Sequence, residues 1–376
     1  MEAIRPNACP HRDCASHADS TGWRYTRCGC FYSKVAAAGP HGPVPGTERA
    51  RVQRYRCHTC RKTFSDRSFA PDYWLKKNCL RDIFFGVISC SSYRQIAYRL
   101  QVAPSTVMRQ AERLGRHCLL FQEAGVPTDW IPTERLVIDG FESFELSQYH
   151  PHHLNVAVGG ESYFLHRFNY SPLRRKGRMT PRQKRKREEL ERIWGRPDPK
   201  SIEKEVANLV RLVTRGIPCS VRIDTDQHPA YRRAFRNLRK EDFEIEHVQT
   251  HSRDYRGPKN YLFSVNVTDL LIRHTGSNHK RETIAFSKRR RSVVLRMGVF
   301  QVWRNWLKSR SEKLQDETPA QFLRLCQDKL TVDDVLRKRL FPGRVRLPDQ
   351  WKTYYEGKLR TPSVPNAPPH ALKYAF

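Results

Sequence analysis

The chain has 376 residues, and its 69 Lys and Arg against 38 Asp and Glu give a net charge of +31. An excess this large repels itself in a compact fold unless a polyanion offsets it, and the phosphate backbone of nucleic acid is the usual partner. A hydrophobic content of 38% and an aromatic content of 11% suffice for a packed core and exclude wholesale disorder.

Targeting signals are not evident in the sequence. No apolar run reaches the roughly 18 residues of a membrane span, and the N-terminal segment MEAIRPNACPHRDC is too polar for a secretory signal. Eleven cysteines, clustered towards the N-terminus without an export signal, favour metal binding in a reducing compartment over disulfides. We therefore expect a cytoplasmic protein that is associated with the nucleoid and has no membrane partner.

Composition divides the chain into four zones, and the first contains six of the eleven cysteines. The second shows helical periodicity, and the third begins with β-like runs before helical and strand patterns alternate. The fourth contains a helical stretch near 318–340 and a Pro-containing tail that we expect to be irregular. The zones comprise residues 1–70, 71–125, 130–310 and 311–376.

Two close cysteine pairs stand far apart in the first zone: Cys9 and Cys14 as Cys-x4-Cys, and Cys57 and Cys60 as Cys-x2-Cys. Each pair supplies two thiolates of a tetrahedral zinc site, and four thiolates leave no open position for catalysis. The sequence therefore predicts a zinc ribbon with structural Zn²⁺. The alternative is that all these cysteines are buried small hydrophobic residues.

Other potential ligands lie near these pairs. The spacing Cys-Gly-Cys is too tight for a normal zinc knuckle, so we interpret those two thiols as packing or incidental residues. The competing side chains are Cys28, Cys30, His11 and His17.

The segment SSYRQIAYRLQVAPSTVMRQAERLG (91–115) predicts two short helices joined by a turn, with Ser105 as the N-cap of the second helix. This pattern is typical of a helix-turn-helix, and an ordinary helical hairpin between two domains is the alternative. The second helix of such a motif enters the major groove of double-stranded DNA. The residues expected near base edges are Ser105, Thr106, Arg109 and Gln110.

Two apolar runs of the third zone contain acids where a buried strand normally excludes them. Asp139 follows Leu-Val-Ile, and Asp224 and Asp226 lie two apart in VRIDTD, hence on one face of a strand. Tyr231, in the helical segment that follows, is predicted to face back. Acids on neighbouring strands hold Mg²⁺ for phosphoryl transfer, although each acid alone could be a turn former or an ion-pair member.

Taken together, these motifs resemble bacterial insertion-sequence transposases of the DDE class. The resemblance covers roughly residues 5–310 and rests on RYRCHTCRKTFS, the helix-turn-helix, VIDGFESF, DTDQHPAY and VNVTDLLIRHTGSNHKRETIAFSKRRR. It implies an α/β chain, an RNase H-like mixed sheet flanked by helices and preceded by the zinc ribbon and helix-turn-helix. It also implies binding of terminal inverted repeats and target DNA, Mg²⁺-dependent 3′-end cleavage and strand transfer, and a homo-oligomer on DNA.

The resemblance also assigns roles to residues. The first two acids of the family match Asp139 and Asp226, and Arg273 matches a basic residue that positions phosphates. The family places a Glu about seven residues before that basic residue, where this chain has Asn266. We favour Asp269, one helical turn further along the same face, as the third acid and keep Glu282 as the runner-up.

The departure at position 266 leaves an alternative function open, namely a catalytically inactive, domesticated DNA-binding regulator. Two further segments remain to be placed. The pattern RSVVLRMGVFQVWRNWLK predicts a helix that packs across the sheet. The basic run 173–197 predicts either a solvated helix or an inserted arm that grips DNA ends.

Overall fold

A computed structural model describes residues 6–34, 37–39, 42–44, 49–73, 75, 77–251, 253–280, 283–313, 316–362 and 364. The chain forms two compact units. The first, here called the cysteine unit, comprises Met1–Asn78, Asp333–Arg346 and Ala371–Phe376. The second, here called the sheet unit, comprises Cys79–Val332 and Leu347–His370.

The cysteine unit is built on an antiparallel sheet of three strands in the order β1-β4-β5. Tyr55 and Cys57 face the interior of this sheet while Arg54 and Arg56 are exposed, which is the period of two that a half-buried strand requires. The elements are α1 (Ala15–Ala18), β1 (Tyr25–Lys34), β2 (Ala37–Gly39), β3 (Gly42–Val44), β4 (Arg49–Cys57) and β5 (Thr63–Ser65), followed by a 3-10 turn (Asp66–Phe69).

A bulge interrupts β1 between Arg27 and Cys30. Gly29 lies there with φ +81°, a left-handed conformation that glycine adopts without steric cost. Cys28 and Cys30 therefore flank the bulge.

Three helices open the sheet unit: α2 (Leu80–Ile88), α3 (Tyr93–Leu100) and α4 (Pro104–Ala124). A capping box between Ser92 and Gln95 begins α3, and Gln101 ends it in the left-handed conformation. The prediction of Ser105 as the N-cap of α4 is wrong. The N-cap is Ala103, because Pro104 has the fixed φ and the missing N–H that suit the first helical position.

A mixed sheet of five strands forms the centre of the sheet unit, in the order β10-β9-β6-β7-β8. β6, β7 and β8 pair in antiparallel fashion, whereas β9 and β10 are parallel to β6. With helices flanking it, this sheet is the predicted α/β architecture and is compatible with an RNase H-like fold. The strands are β6 (Leu136–Phe144), β7 (Pro151–Gly159), β8 (Leu165–Pro172), β9 (Ser220–Asp226) and β10 (Glu244–Thr250).

Helices α6 and α7 form one apolar core with the sheet, to which β6 contributes Leu136 and Ile138. The residues of α9 are buried, and Gln301 donates hydrogen bonds to the carbonyl oxygens of Leu165 and His166, so the prediction that this helix packs across the sheet is confirmed. The helices are α5 (Pro181–Trp194), α6 (Ser201–Val213), α7 (Pro229–Arg239), α8 (Phe263–Thr275) and α9 (Arg290–Val302), which continues as a π-helical turn (Trp303–Leu307).

The basic run becomes helix α5, which begins with a capping box between Thr180 and Gln183 and has no buried residue. The long helix predicted near 318–340 is wrong. That region contains two single-turn helices, α10 (Pro319–Phe322) and α11 (Val332–Val335), because Arg324 turns into the left-handed conformation and ends α10. A helix that was not predicted, α12 (Asp349–Tyr355), buries Trp351.

Residue 363 and residues 365–376, most of the predicted irregular tail, lie outside the described part of the chain. Within the described part, no helix combines the length and the apolarity that crossing a bilayer requires.

Candidate metal centres

The two predicted cysteine pairs lie together in the cysteine unit. The Sγ atoms of Cys9, Cys14, Cys57 and Cys60 are all within 4.8 Å of one another. The Sγ–Sγ distance is 3.7 Å for Cys9 and Cys60 and 3.9 Å for Cys14 and Cys57. Zn–S bonds of about 2.3 Å in a tetrahedron require sulfur atoms about 3.8 Å apart. The four thiol groups therefore fit a Zn²⁺ ion.

Short turns hold the four sulfur atoms in place. The backbone N–H of Cys57 donates to the carbonyl of Lys62 at 3.1 Å, and the N–H of Cys14 donates to that of His11 at 3.1 Å. The indole N–H of Trp23 donates to Cys57 Sγ at 3.2 Å. Burial raises the pKa of Cys57, but the backbone N–H of Cys60 and the indole N–H of Trp23 outweigh it and lower the pKa to about 6. A low pKa favours the thiolate, which is the form that binds metal.

The competing side chains lie outside this cluster. His11 Nε2 is 3.0 Å from the carbonyl oxygen of Thr63, and His17 Nδ1 is 2.7 Å from that of Cys9. Each ring thus contacts a backbone carbonyl of the same unit. Cys28 and Cys30 are half-buried beside the bulge of β1.

The second cluster consists of carboxylates in the sheet unit. The parallel ladder of β6 and β9 pairs Val137 with Asp224, and Asp139 and Asp226 follow two residues later on their respective strands. Alternation turns Asp139 away from the core face of Leu136 and Ile138. Helix α8, which packs against β6 and β7, brings Asp269 to the same place.

Tyr231 of α7 contacts one of these acids: its hydroxyl donates to Asp139 Oδ1 at 3.3 Å. Burial and, after it, the negative charge of Asp226 raise the pKa of Asp139 to about 6. Burial and the charge of Asp139 likewise raise the pKa of Asp269 well above its usual value. The charges of Asp139, Asp226 and Asp269 also act on the buried hydroxyl of Tyr231, whose pKa burial already raises.

These carboxylates match the ligand preference of Mg²⁺. Oδ1 of Asp269 is buried and has no hydrogen-bond partner among the described residues, although a buried carboxylate oxygen normally has one. A cation satisfies such an atom, and Mg²⁺ prefers oxygen ligands. Within the described ranges, the four cysteines alone form a set of three or more ligand groups mutually within 4.8 Å, so the carboxylates stand farther apart.

The carboxylates of Asp224 and Asp226 have different hydrogen-bond partners, although both residues lie on strand β9. Asp224 is fully buried, and its oxygens accept hydrogen bonds from Arg135 and, at 3.2 Å, from Arg222. Asp226 Oδ1 accepts the backbone N–H of His228 at 2.8 Å. Asp224 is thus an ion-pair member of the fold, whereas Asp226 forms no ion pair with the residues that the structure describes.

The remaining residues of the predicted catalytic set are Asn266, Arg273 and Glu282. Asn266 is half-buried in α8, and Glu282 lies outside the described residues. Arg273 is half-buried in α8, with its guanidinium 5.1 Å from the ring centroid of Phe141 and Nη1 donating to the carbonyl of His279 at 3.2 Å.

Helix α4 presents only part of the predicted DNA-contacting set. Ser105 and Arg109 are exposed, and Thr106 is half-buried. Gln110 is 5% exposed, and its side-chain oxygen accepts the backbone N–H of Cys79 at 2.9 Å. The expectation that Gln110 contacts a base edge is therefore wrong, because this side chain is buried and hydrogen-bonded within the sheet unit.

Sequence reasoning missed Arg256, whose positive charge acts on both Asp139 and Asp269. The available signal was the segment RDYRGPKNY (253–261), in which basic and aromatic residues alternate.

Neither a protein-family profile nor a curated protein sequence matches the chain. Among solved structures, the chain is similar to a chain of "Crystal structure of the Mos1 Strand Transfer Complex", with 14% sequence identity over 56% of this chain and 70% of that chain. The TM-score of this match is 0.19, which does not establish a common fold.

Proposed function

We propose that the chain is a DDE-type DNA transposase of the insertion-sequence kind. The observation that carries the proposal is the placement of Asp139 and Asp226 on adjacent parallel strands, with α8 packed on β6 and the Oδ1 atom of its Asp269 buried without a partner among the described residues. Acids from two parallel strands and one helix form a site of this chemistry. A net charge of +31 supports a DNA substrate.

DNA recognition falls to the N-terminal half in this proposal. The zinc ribbon at 1–70, with structural Zn²⁺ on the four cysteines, and the helix-turn-helix at 71–125 bind the terminal inverted repeats. Ser105, Thr106 and Arg109 of α4 face the DNA. The catalytic region is 130–310, the segment 311–376 follows it, and α5 is either a solvated helix or an arm on the DNA ends. The protein acts as a homo-oligomer on DNA in the nucleoid.

Cleavage of the 3′ end and strand transfer then depend on the aspartates. Mg²⁺ supplies activation of a water molecule and neutralises the oxygens of the attacked phosphate. Asp139 and Asp226 would hold the cation from adjacent strands, and Asp269 would complete the set from α8. The hydroxyl of Tyr231 orients Asp139, and Arg273 positions phosphates.

Substitution of the acids tests this function. Asp139→Asn and Asp226→Asn should each lower Mg²⁺-dependent nicking of DNA with the element's ends by about 10²- to 10³-fold or more, because the cation loses a charged ligand. Binding of the same DNA, measured by gel shift in Ca²⁺, should stay near wild type. Asp242→Asn is the matched control, because Asp242 is exposed. Full nicking activity of the Asp139 or Asp226 variant would contradict the proposal.

The same nicking assay shows whether Asp269 or Glu282 is the third catalytic acid. Asp269→Asn should lose nicking as Asp139→Asn does, and Glu282→Gln should keep it. The reverse result would transfer the role to Glu282.

A second candidate function is a DNA-binding regulator without catalysis. The observation that favours it is Asn266, a neutral residue where the resembled family has its Glu. Such a regulator would bind the ends and produce no nick at any Mg²⁺ concentration.

A further inference from the structure

The loop between β10 and α8, residues 251 and 253–262 in the described part and called here the β10–α8 loop, exposes an aromatic side chain to solvent. Tyr255 is 90% exposed, and its neighbours Arg253, Arg256 and Lys259 are exposed and basic. A large aromatic ring that is exposed to solvent contributes no burial of apolar surface to the stability of the fold. Its position within a basic loop makes it a candidate for contact with a ligand.

The loop holds this ring in a defined place. The Asn260 side chain donates to the carbonyl of Tyr255 at 2.9 Å, and the Asn260 N–H donates to the carbonyl of Gly257 at 2.9 Å. A Cβ at Gly257 would come within 2.3 Å of Tyr255 Cε1, so only glycine leaves space for the ring there. The exposed ring therefore belongs to a loop with its own hydrogen bonds.

Tyr261, the other tyrosine of the loop, has a different environment. The guanidinium groups of Arg135 and Arg222 lie 5.9 and 5.3 Å from its ring centroid, and Arg135 Nη1 donates to its carbonyl at 3.0 Å. Both arginines also bind the buried Asp224. Tyr261 thus anchors the loop to the sheet, whereas Tyr255 makes no ring or cation contact with the described residues.

The β10–α8 loop adjoins the aspartates. It begins directly after Thr250, which pairs with Asp226 in the parallel ladder of β9 and β10, and it leads into α8, which carries Asp269. The positive charge of Arg256 also acts on Asp139 and Asp269. Arg256 forms no hydrogen bond or ion pair with the described residues. The guanidinium of Arg256 and the exposed ring of Tyr255, the residue before it, thus belong to the loop that starts beside Asp226.

We propose that Tyr255 is a stacking platform for an unpaired base of the DNA strand whose phosphate binds at the aspartates, with Arg256 on the adjacent phosphate. The proposal rests on the proposed function for the identity of the strand. Proteins that bind single strands combine basic groups on the backbone with aromatic rings on the bases. Bases inside a duplex stack on one another, so the platform selects DNA that is opened next to the bound phosphate.

The test uses the full chain in Ca²⁺ and two DNA probes with 2-aminopurine, one fully paired and one with the analogue in a short unpaired segment. Wild type should bind the unpaired probe more tightly and quench its fluorescence. Tyr255→Ala should abolish the quenching and weaken binding of the unpaired probe by about 5- to 150-fold, with binding of the paired probe unchanged. Tyr255→Phe keeps the ring and should behave as wild type.

Phe322→Ala is the control, because Phe322 is an exposed aromatic residue (38%) on α10, outside the regions proposed to bind DNA or to carry catalysis. It should leave the quenching intact. Arg256→Gln should weaken binding of both probes and reduce the slope of log K against log salt by about 1.

Unchanged quenching in Tyr255→Ala, or equal affinity of wild type for the two probes, would overturn the platform. Nicking by wild type in Mg²⁺ is measured separately. If quenching depends on Tyr255 but wild type produces no nick, the stacking role of Tyr255 is supported and the transposase function is contradicted.

Discussion

The cysteine unit and the sheet unit each gather anionic ligand groups, but at different separations and on different supports. Four cysteine sulfurs lie within 4.8 Å of one another. Around them is a small apolar cluster that includes Phe64, Phe69 and Phe341. The aspartates are spread over two strands and a helix of a five-stranded sheet with an extensive apolar core.

This difference predicts different roles for the two proposed metal ions. A unit with few apolar residues depends on its metal for folding, and binding free energy is then folding free energy. A sheet with a large apolar core folds without a cation, so it tolerates a buried carboxylate oxygen such as Asp269 Oδ1 that has no partner among the described residues. Metal removal should therefore unfold the cysteine unit and only inactivate the sheet unit.

The largest expected effect is that of breaking the cysteine cluster. Cys57→Ser should lose one equivalent of zinc and expose residues 1–78 to protease, because structural zinc sites contribute about 10–16 kcal/mol in small peptides. Elemental analysis and limited proteolysis measure both effects. The sheet unit should remain resistant.

Cys28→Ser is the control, since Cys28 lies at the β1 bulge outside the cluster. It should retain zinc and resistance. One full equivalent of zinc in Cys57→Ser would refute the four-cysteine site.

A smaller effect separates two aspartates of the same strand. Asp224→Asn leaves Arg135 and Arg222 without their buried counter-charge and should lower the free energy of unfolding by about 2–3 kcal/mol. The expected loss in the free energy of unfolding is smaller than for a fully buried ion pair, because both arginine side chains are partly exposed. Asp226→Asn should change it by less than about 0.5 kcal/mol.

Urea unfolding of the two variants, with Asp242→Asn as the exposed control, measures this difference. Equal stability of Asp224→Asn and Asp242→Asn would show that the ion pairs do not stabilise the sheet.

The smallest effect concerns Glu134, a carboxylate that is used for structure. Burial alone would raise the pKa of Glu134, but the interactions with His166 and Ser162 outweigh it and lower the pKa to about 2. The backbone N–H groups of Glu161 and Ser162 donate to Glu134 Oε2 at 3.0 and 2.9 Å. A lowered pKa means that the charged form stabilises the fold above the unfolded-state pKa and that this is lost as pH falls towards 2.

Glu134→Gln should therefore cost about 1–2 kcal/mol at pH 7 and less at pH 3. The cost stays below that of Asp224→Asn because burial lowers the pKa of His166, so the imidazole facing Glu134 is uncharged at pH 7. Unfolding curves of wild type and variant at the two pH values give the difference. A cost that does not depend on pH would mean that the hydrogen bonds, and not the charge, matter.

The cysteine ligands and the two strand acids could be predicted from sequence because the signals are local. A Cys-x2-Cys knuckle and an acid at the end of an apolar strand depend on a few neighbouring residues. The strand alternation that turns Asp139 away from Leu136 and Ile138 is likewise a property of the strand itself. The order of the strands and the parallel pairing of β6 with β9 came from the structure.

Contacts between distant segments were decided by the tertiary structure alone. Gln110 has the sequence context of a recognition helix, yet its side-chain oxygen accepts a hydrogen bond from the backbone N–H of Cys79. Asp224 and Asp226 cannot be distinguished by their spacing in the sequence. Arg135, which is distant in the chain, binds Asp224 and so gives that residue a structural role. Asp269 joins Asp139 because α8 packs on β6. Sequence determined which groups had metal-binding chemistry, and packing decided which of them remained free, because burial and counter-charges act through space.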